Sequence, residues 1–336
     1  MTTSREEHPF AAYVRILARG RTISRALTQD ESRDAMAMIL AGEVEDVQLG
    51  AFLMLMRYKE ETAEEVAGFV EACRAALDVP EGISVDLDWS SYAGKRRQLP
   101  WFILAALLLA QSGVKIFMHG TEGHTPGRMY TRETLEFMGL PVAETLAEAG
   151  KHIAQSNFGY VPLEGLLPIL RRIIDLRPIL GLRSPVHTIA RMINPLAAPA
   201  MIQGVFHPGY TDTHQGAAAL MGQAHMSVFK GEGGEIERRP NKPLVVKSLH
   251  EGVTSELEWP PLLSESRQPH DNDMDTSRLA AVWRDELEDD YAVAAVTGTV
   301  ALALATMGRA SDPADAQAQA TAMWQARDRG RLGAAA

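Results

Sequence analysis

The sequence holds one cysteine, Cys73. That excludes an internal disulfide framework and a metal site built on several thiolates, and it suits a reducing compartment such as the cytoplasm. Long apolar runs are also missing. The most apolar stretch, residues 99–109, contains Pro100 and is too short to span a bilayer, so no membrane association is expected. The opening MTTSREEHPF has no apolar signal core. Positive charge is in deficit: the formal net charge of −10 argues against indiscriminate nucleic-acid binding, yet permits a local basic groove. No internal repeat is visible. With 336 residues, 46% of them hydrophobic and 23% charged, the chain can build one large domain and one small one.

Residues 8–78 read as helices. Ala11, Ala12, Tyr13, Val14, Ile16 and Leu17 form an apolar stripe that breaks at Gly20. Thr28-Gln29-Asp30-Glu31 and Thr62-Ala63-Glu64-Glu65 have the form of capping boxes, and a helix over 46–58 lies between them. Pro80 and Gly82 mark a linker. Strand and helix patterns then alternate: strands near 85–87, 114–118, 226–229 and 243–246, helices over 101–109 and 131–138. Such alternation implies an α/β domain, here 83–330. Residues 264–276 are polar and turn-rich. The tail reads as helices over 279–287, 293–307 and 313–329, and the end, 327–336, reads as frayed.

Four stretches carry candidate chemistry. In 175–195, Arg177, Arg183 and Arg191 recur around Pro178, Gly181 and Pro185, which prevent one long helix. A turn presents Arg177 and Arg183, and a short helix from about His187 turns Ile189, Met192 and Ile193 inward. Guanidinium groups beside such a turn match carboxylate or phosphate, although spacing alone leaves a plain solvated face open. Ser91-Tyr92-Ala93-Gly94-Lys95-Arg96-Arg97 follows a strand and sets three cations beside a glycine turn, which points to an anion. Residues 119–128, with His119, Gly120, Glu122, His124 and Arg128, follow the next strand and so lie at the carboxyl edge of the sheet. Two histidines and a glutamate there are weak evidence for a metal. Residues 231–237 hold Glu235 and Glu237 and run into Arg238, Arg239, Lys242 and Lys247, a basic cluster out of keeping with a working acidic metal site.

These stretches resemble the anthranilate phosphoribosyltransferase family. Arg177, Leu180-Gly181-Leu182-Arg183-Ser184 and Asn194-Pro195 match its R…L-G-x-R-T…N-P pattern, with His187 where the family has Asn. GEVEDVQLGAFLMLMRYKEETAEEVAGF is similar to its helical-domain signature, and Gly204-Val205-Phe206 with Pro208 to its G-V-Y-x-P. The resemblance covers residues 10 to about 330. It implies the nucleoside phosphorylase/phosphoribosyltransferase fold: a small all-helical domain over 8–78, joined in space by helices near 165–200, and a large domain with a central mixed sheet flanked by helices. It also implies a homodimer through the small domain.

The substrate motifs depart from the family's. Its G-T-G-G-D loop keeps only Gly94 in register, and Lys95 stands for the acid. His119-Gly120 matches K-H-G-N without the lysine. In G-L-D-E, Glu237 matches the Glu but Ile236 replaces the Asp, leaving Glu235 and Glu237 as the magnesium candidates. This pattern resembles the divergent YbiB-type branch, whose members are nucleic-acid-binding homodimers. The main expectation is therefore a cytoplasmic homodimer that binds nucleic acid, single-stranded or non-specific, without a cofactor. Lys95, Arg96, Arg97, Arg128, Arg177, Arg183, Arg238 and Arg239 would line the groove, and Tyr92 and Trp101 would stack on bases. Replacing Lys95, Arg96 and Arg97 with Ala is expected to leave folding unchanged. The alternative is a transferase: phosphoribosyl pyrophosphate on Gly94 and His119-Gly120, magnesium on Glu235 and Glu237, and Arg177 orienting an aromatic carboxylate. A nucleoside phosphorylase relative on the same fold has less motif support.

Overall fold

The computed structural model describes residues 6–20, 22–265, 267, 270–271 and 273–332. Four helices open the chain: α1 (Ala11–Ala18), α2 (Gln29–Leu40), α3 (Asp46–Lys59) and α4 (Ala63–Ala75). Both expected capping boxes form. Thr28 Oγ1 accepts from Glu31 N at 3.2 Å while Thr28 N donates to Glu31 Oε2 at 2.9 Å, and Thr62 pairs with Glu65 in the same way. Glu65 also accepts from Leu27 N at 2.8 Å, which ties the start of α2 to α4. Gly68 lets the two helices touch, because a Cβ there would lie 2.0 Å from Gln29 O.

The rest of the chain runs β1 (Leu87–Ser91), α5 (Trp101–Gln111), β2 (Ile116–Gly120), α6 (Thr131–Phe137), α7 (Leu146–Ser156) and β3 (Phe158–Pro162). Four short helices follow: α8 (Leu163–Leu166), α9 (Pro168–Asp175), α10 (Arg177–Leu180) and α11 (Val186–Arg191). Then come β4 (Ala200–Val205), α12 (Tyr210–Leu220), β5 (His225–Lys230), β6 (Leu244–His250), β7 (Val253–Trp259), α13 (Ser277–Trp283), α14 (Asp290–Thr306) and α15 (Pro313–Gln325). The sheet order is β3-β2-β1-β4-β5-β6-β7, parallel from β3 to β5 and antiparallel beyond. This is the mixed sheet with flanking helices that the resemblance implied.

Alternate residues of the strands face two separate cores, as the period of two requires. Phe117, Met201, Met226 and Val228 join α1–α4 and α8–α11 in one cluster. Met118, Ile202 and Phe229 join α5 and α13–α15 in the other. The helices after β3 thus share a core with the N-terminal helices. α5 is apolar all round because it is buried all round. No described helix is long and apolar enough to cross a membrane.

Strands β3, β4 and β7 and helices α7 and α12 go beyond the sequence expectation. The expected frayed end is corrected in part. Arg327 is 6% exposed, donates to Trp283 O at 2.8 Å and lies 3.7 Å from the Trp324 ring, and Leu332 is buried. Residues 333–336, and 266, 268, 269 and 272 in the polar loop, lie outside the described residues.

Candidate functional site at the carboxyl edge of the sheet

The chain reverses its winding between β1 and β4: β2 and β3 lie on one side of β1, β4 and β5 on the other. At such a switch point the loops leaving adjacent strands part and open a crevice. The loops after β1, β2, β4 and β5 all meet there. Gly120 keeps the β1 and β2 exits in contact, since a Cβ there would lie 2.1 Å from Ser91 O.

The loop after β1 is occupied by the protein's own side chains. Ala93 N and Gly94 N both donate to Glu235 Oε1 at 2.6 Å. Arg128 Nη1 donates to the carbonyls of Ala93 and Gly94 at 2.8 and 3.0 Å. Lys95 is 1% exposed, and its ammonium pairs with Glu237, itself fully buried. The other oxygen of Glu237 accepts from Phe102 N at 2.9 Å, in the first turn of α5, where the helix dipole favours a negative charge. Burial pushes the Glu237 carboxyl up to about 7, against the pull of the Lys95 ammonium. Burial also raises the Glu235 carboxyl, opposed by the N–H of Gly94 and by the Arg191 guanidinium.

Several expected site residues are placed elsewhere. Lys95 cannot line a groove, because its charge is spent inside the protein on Glu237. Tyr92 and Trp101 are 0% and 1% exposed and cannot stack on bases. The Tyr92 hydroxyl meets His119 Nδ1 at 2.8 Å, and His119, fully buried, reaches Asp88 at 3.4 Å. Arg238 is 1% exposed and is turned inward, onto Pro260 O and the Trp259 ring, so it does not line a groove. Arg239 pairs with Glu232. Arg96 and Arg97 are exposed, as expected.

Arg128, Arg177 and Arg183 do converge. Arg177 donates to His124 O and Thr125 Oγ1 at 2.8 Å each, and Arg183 donates to the same Thr125 Oγ1 at 3.0 Å. Burial, followed by repulsion from Arg128, Arg177 and Arg191, pushes the Arg183 guanidinium down to about 10. Four mutually repelling cations make this corner strongly attractive to an anion. His124 Nε2 donates to Tyr92 O at 2.9 Å, and burial lowers this histidine to about 4, so it stays neutral near pH 7.

Beside the arginines lies a pocket of about 140 Å³, between the end of α3, the start of α11 and the β4–α12 loop. Four buried polar atoms on its wall have no hydrogen-bond partner: Glu61 Oε2, Ser184 Oγ, His187 Nε2 and His214 Nδ1. Their residues are 1–7% exposed. Leaving such atoms unsatisfied costs roughly 1–3 kcal/mol each, so the arrangement calls for a polar guest. Burial holds His214 down to about 3 and His187 well below the usual histidine range, so both are neutral and offer one donor and one acceptor nitrogen each. Sequence reasoning missed Glu61, which hides in a capping-box stretch, and His214, which sits on the unexpected helix α12.

Comparison with known proteins agrees with the resemblance. Residues 12–77 match the glycosyl transferase family, helical bundle domain. An anthranilate phosphoribosyltransferase of Oleidesulfovibrio alaskensis is 29% identical over 70% of this chain and 71% of its own. The anthranilate phosphoribosyltransferase from Thermus thermophilus superposes with a TM-score of 0.76 at 21% identity, covering 93% of this chain and 94% of that one. In sequence and fold the chain is similar to the anthranilate phosphoribosyltransferases. The uncharacterised protein YbiB of Escherichia coli is 30% identical over 59% of this chain and 63% of its own, which fits the divergent branch of that family.

Another family structure, the Saccharomyces cerevisiae enzyme, is described in complex with phosphoribosyl pyrophosphate and magnesium; it is 17% identical with a TM-score of 0.75. The residues of this chain do not fit a magnesium ion as they stand. Glu235 gives one oxygen to two backbone N–H groups and keeps only Oε2 unpartnered, both oxygens of Glu237 are engaged, and Ile236 supplies no carboxylate. Among the described residues no group of three His, Cys, Asp or Glu side chains could hold a metal.

Proposed function

We propose that the interdomain pocket binds a small, ring-sized organic acid, as the acceptor half of a phosphoribosyltransferase site. The carrying observation is the set of four unpartnered polar atoms beside Arg183 and Arg191. The pocket's 140 Å³ is close to that of an engineered cavity, about 150 Å³, that admits one benzene. Arg183 would take the carboxylate, and Glu61 and His214 would take donors on the ring. Phosphoribosyl pyrophosphate with magnesium is the partner that the family supplies. To bind here, its pyrophosphate would have to displace Glu235 from the loop, and its metal would have to displace Lys95 from Glu237. Transfer to anthranilate is accordingly expected to be slow, below the roughly 1 per second at which ordinary turnover begins.

Calorimetric titration with 2-aminobenzoate and with benzoate tests the reading. Saturable binding is expected, weakened at least tenfold in Arg183→Ala. No binding of either acid, or binding unchanged by the substitution, defeats it.

A second reading, a nucleic-acid-binding homodimer, is supported by one feature of this same edge. Exposed Arg96 and Arg97 share it with a cleft of about 660 Å³ lined by Lys230, Arg239, Lys242 and Lys247. Lys230 and Lys242 are exposed and form no ion pair among the described residues. The dimer would use the outer face of α3, where Val47 and Tyr58 are 85% and 87% exposed. Titrating labelled single-stranded DNA over a range of salt should give a slope that flattens by roughly 0.7 per lost phosphate contact in Arg96→Ala/Arg97→Ala. Affinity weaker than about 10⁻⁴ M at moderate salt removes this reading, and a monomeric mass by light scattering at micromolar concentration removes the dimer.

A further inference from the structure

Arg238 is a buried cation with no carboxylate. It is 1% exposed, and among the described residues it forms no ion pair. Its guanidinium gives one N–H to Pro260 O and lies 5.2 Å from the centre of the Trp259 ring, while Nε has no partner. An uncompensated buried charge is costly and is normally paired. The fold nevertheless makes room for it. Gly298, in the middle of α14, leaves space for the arginine stem, because a Cβ there would lie 2.7 Å from Arg238 Cδ and 2.9 Å from Leu262 Cδ1. A glycine inside a helix weakens it, so this packing is kept against local preference.

Arg238 lines the base of a cleft of about 880 Å³ on the face of the molecule formed by α15 and the 259–262 segment. One wall is Trp259, Pro260 and Leu262, and the other is the outward face of α15, where Ala314, Ala318 and Ala322 recur at helical spacing. Gln317 Oε1, also on this cleft, is a buried acceptor without a partner. The one acid on the rim, Asp312, is committed to α15, accepting from Ala314 N and Asp315 N at 2.8 and 2.9 Å. The lining is thus mostly apolar, with the Arg238 charge buried beneath it, one free acceptor beside it and the Asp312 carboxylate held at the rim. The volume lies within the range of about 300–1,000 Å³ usual for small-molecule pockets.

We propose that this cleft is a second ligand site, separate from the interdomain pocket, which takes an organic carboxylate with an apolar body. Trp259, Leu262 and the alanine face of α15 cover the body. Arg238 balances the carboxylate, and Gln317 accepts from a donor on the ligand. The inference is independent of the reading of the interdomain pocket.

Calorimetric titration of the full chain with 1-naphthoate, against its uncharged analogue 1-naphthalenemethanol, tests it. Saturable binding of 1-naphthoate is expected, at least tenfold tighter than that of the alcohol. Arg238→Met should remove the preference for the acid. Ala318→Trp keeps the proposal testable if the buried substitution disturbs folding: Ala318 is exposed, and the ring would fill the cleft without touching the core. It should abolish binding, while Arg183→Ala leaves binding intact. Absence of saturable binding, equal affinity for acid and alcohol, or binding that survives Ala318→Trp and disappears in Arg183→Ala overturns the proposal.

Discussion

Replacing Lys95 with Ala should lower the unfolding free energy by about 3–5 kcal/mol, the usual cost of leaving one member of a buried ion pair alone. Lys95 and Glu237 are 1% and 0% exposed, so solvent cannot take over from the missing ammonium. The loss depends on pH in a defined direction. The Glu237 carboxyl stands at about 7 in the folded protein, above its unfolded value of 4.5. The folded state therefore takes up a proton between these values, and this contribution to stability is fully present below 4.5 and lost as pH rises through 7. Without Lys95 the carboxyl rises further, so the variant's deficit is larger at pH 8 than at pH 5. Urea unfolding at the two pH values measures it. A deficit under about 1 kcal/mol at pH 8 refutes the burial argument. Lys95→Met combined with Glu237→Gln should recover most of the loss, because the amide oxygen can still accept from Phe102 N. Arg96→Ala and Arg97→Ala should each stay within about 0.5 kcal/mol, as exposed positions do. The expectation that all three cations could be removed without cost is therefore kept for Arg96 and Arg97 and withdrawn for Lys95.

That difference shows where sequence reasoning reaches its limit. A Lys-Arg-Arg run after a glycine reads as solvated, and nothing local distinguishes its first member. The partner that buries Lys95 is Glu237, 142 positions later, and only the placing of β5 next to β4, which itself pairs with β1, brings the two together. Local signals were readable where local physics decides. Thr28 and Thr62 cap α2 and α4 through residues three positions on, and Gly120 meets a steric demand of its own strand pair. Elements without a local signature were missed. The strand Phe158–Pro162 is five residues long, contains a glycine and ends in proline, and it is buried on both faces, so it has no polar alternation. Helix α12 is rich in small residues and has little apolar stripe to read. Arg177 and Arg183, expected at the carboxyl edge of the sheet, meet the loop that leaves β2. The convergence of Arg177 and Arg183 on Thr125 was invisible, because it needs the loop after β2 folded back over α10. For Glu235 the resemblance to a metal ligand gave no hint of its bonds to Ala93 N and Gly94 N, which lie 142 and 141 positions earlier.

Glu235→Ala should create pyrophosphate affinity that the unaltered protein lacks. In the folded protein the Glu235 carboxylate sits in the turn after β1 and takes two of its N–H groups, Ala93 N and Gly94 N, at 2.6 Å. A carboxylate held this way competes directly with a phosphate oxygen for the same donors. Removing it does three things at once. It frees two aligned N–H groups, it deletes a negative charge next to Arg191, and it leaves Arg128 fixed by the carbonyls of the same loop. All three favour an anion, so inorganic pyrophosphate should bind at least tenfold more tightly to the variant, an increase that grows as salt is lowered. Glu235→Gln should give less, because its amide oxygen can still occupy the N–H groups. Ala93 and Gly94 left without acceptors cost stability in the absence of ligand, and pyrophosphate should restore it, so the melting temperature of Glu235→Ala should rise with pyrophosphate more than that of the unaltered protein. If a folded Glu235→Ala protein shows no gain in pyrophosphate binding, the loop is closed by its own geometry and by Arg128, and Glu235 is only a buried structural acid. If it does gain, one side chain separates a phosphate-binding loop from a self-filled one, and adding Lys95→Asp to the same variant becomes the direct route to asking whether magnesium follows.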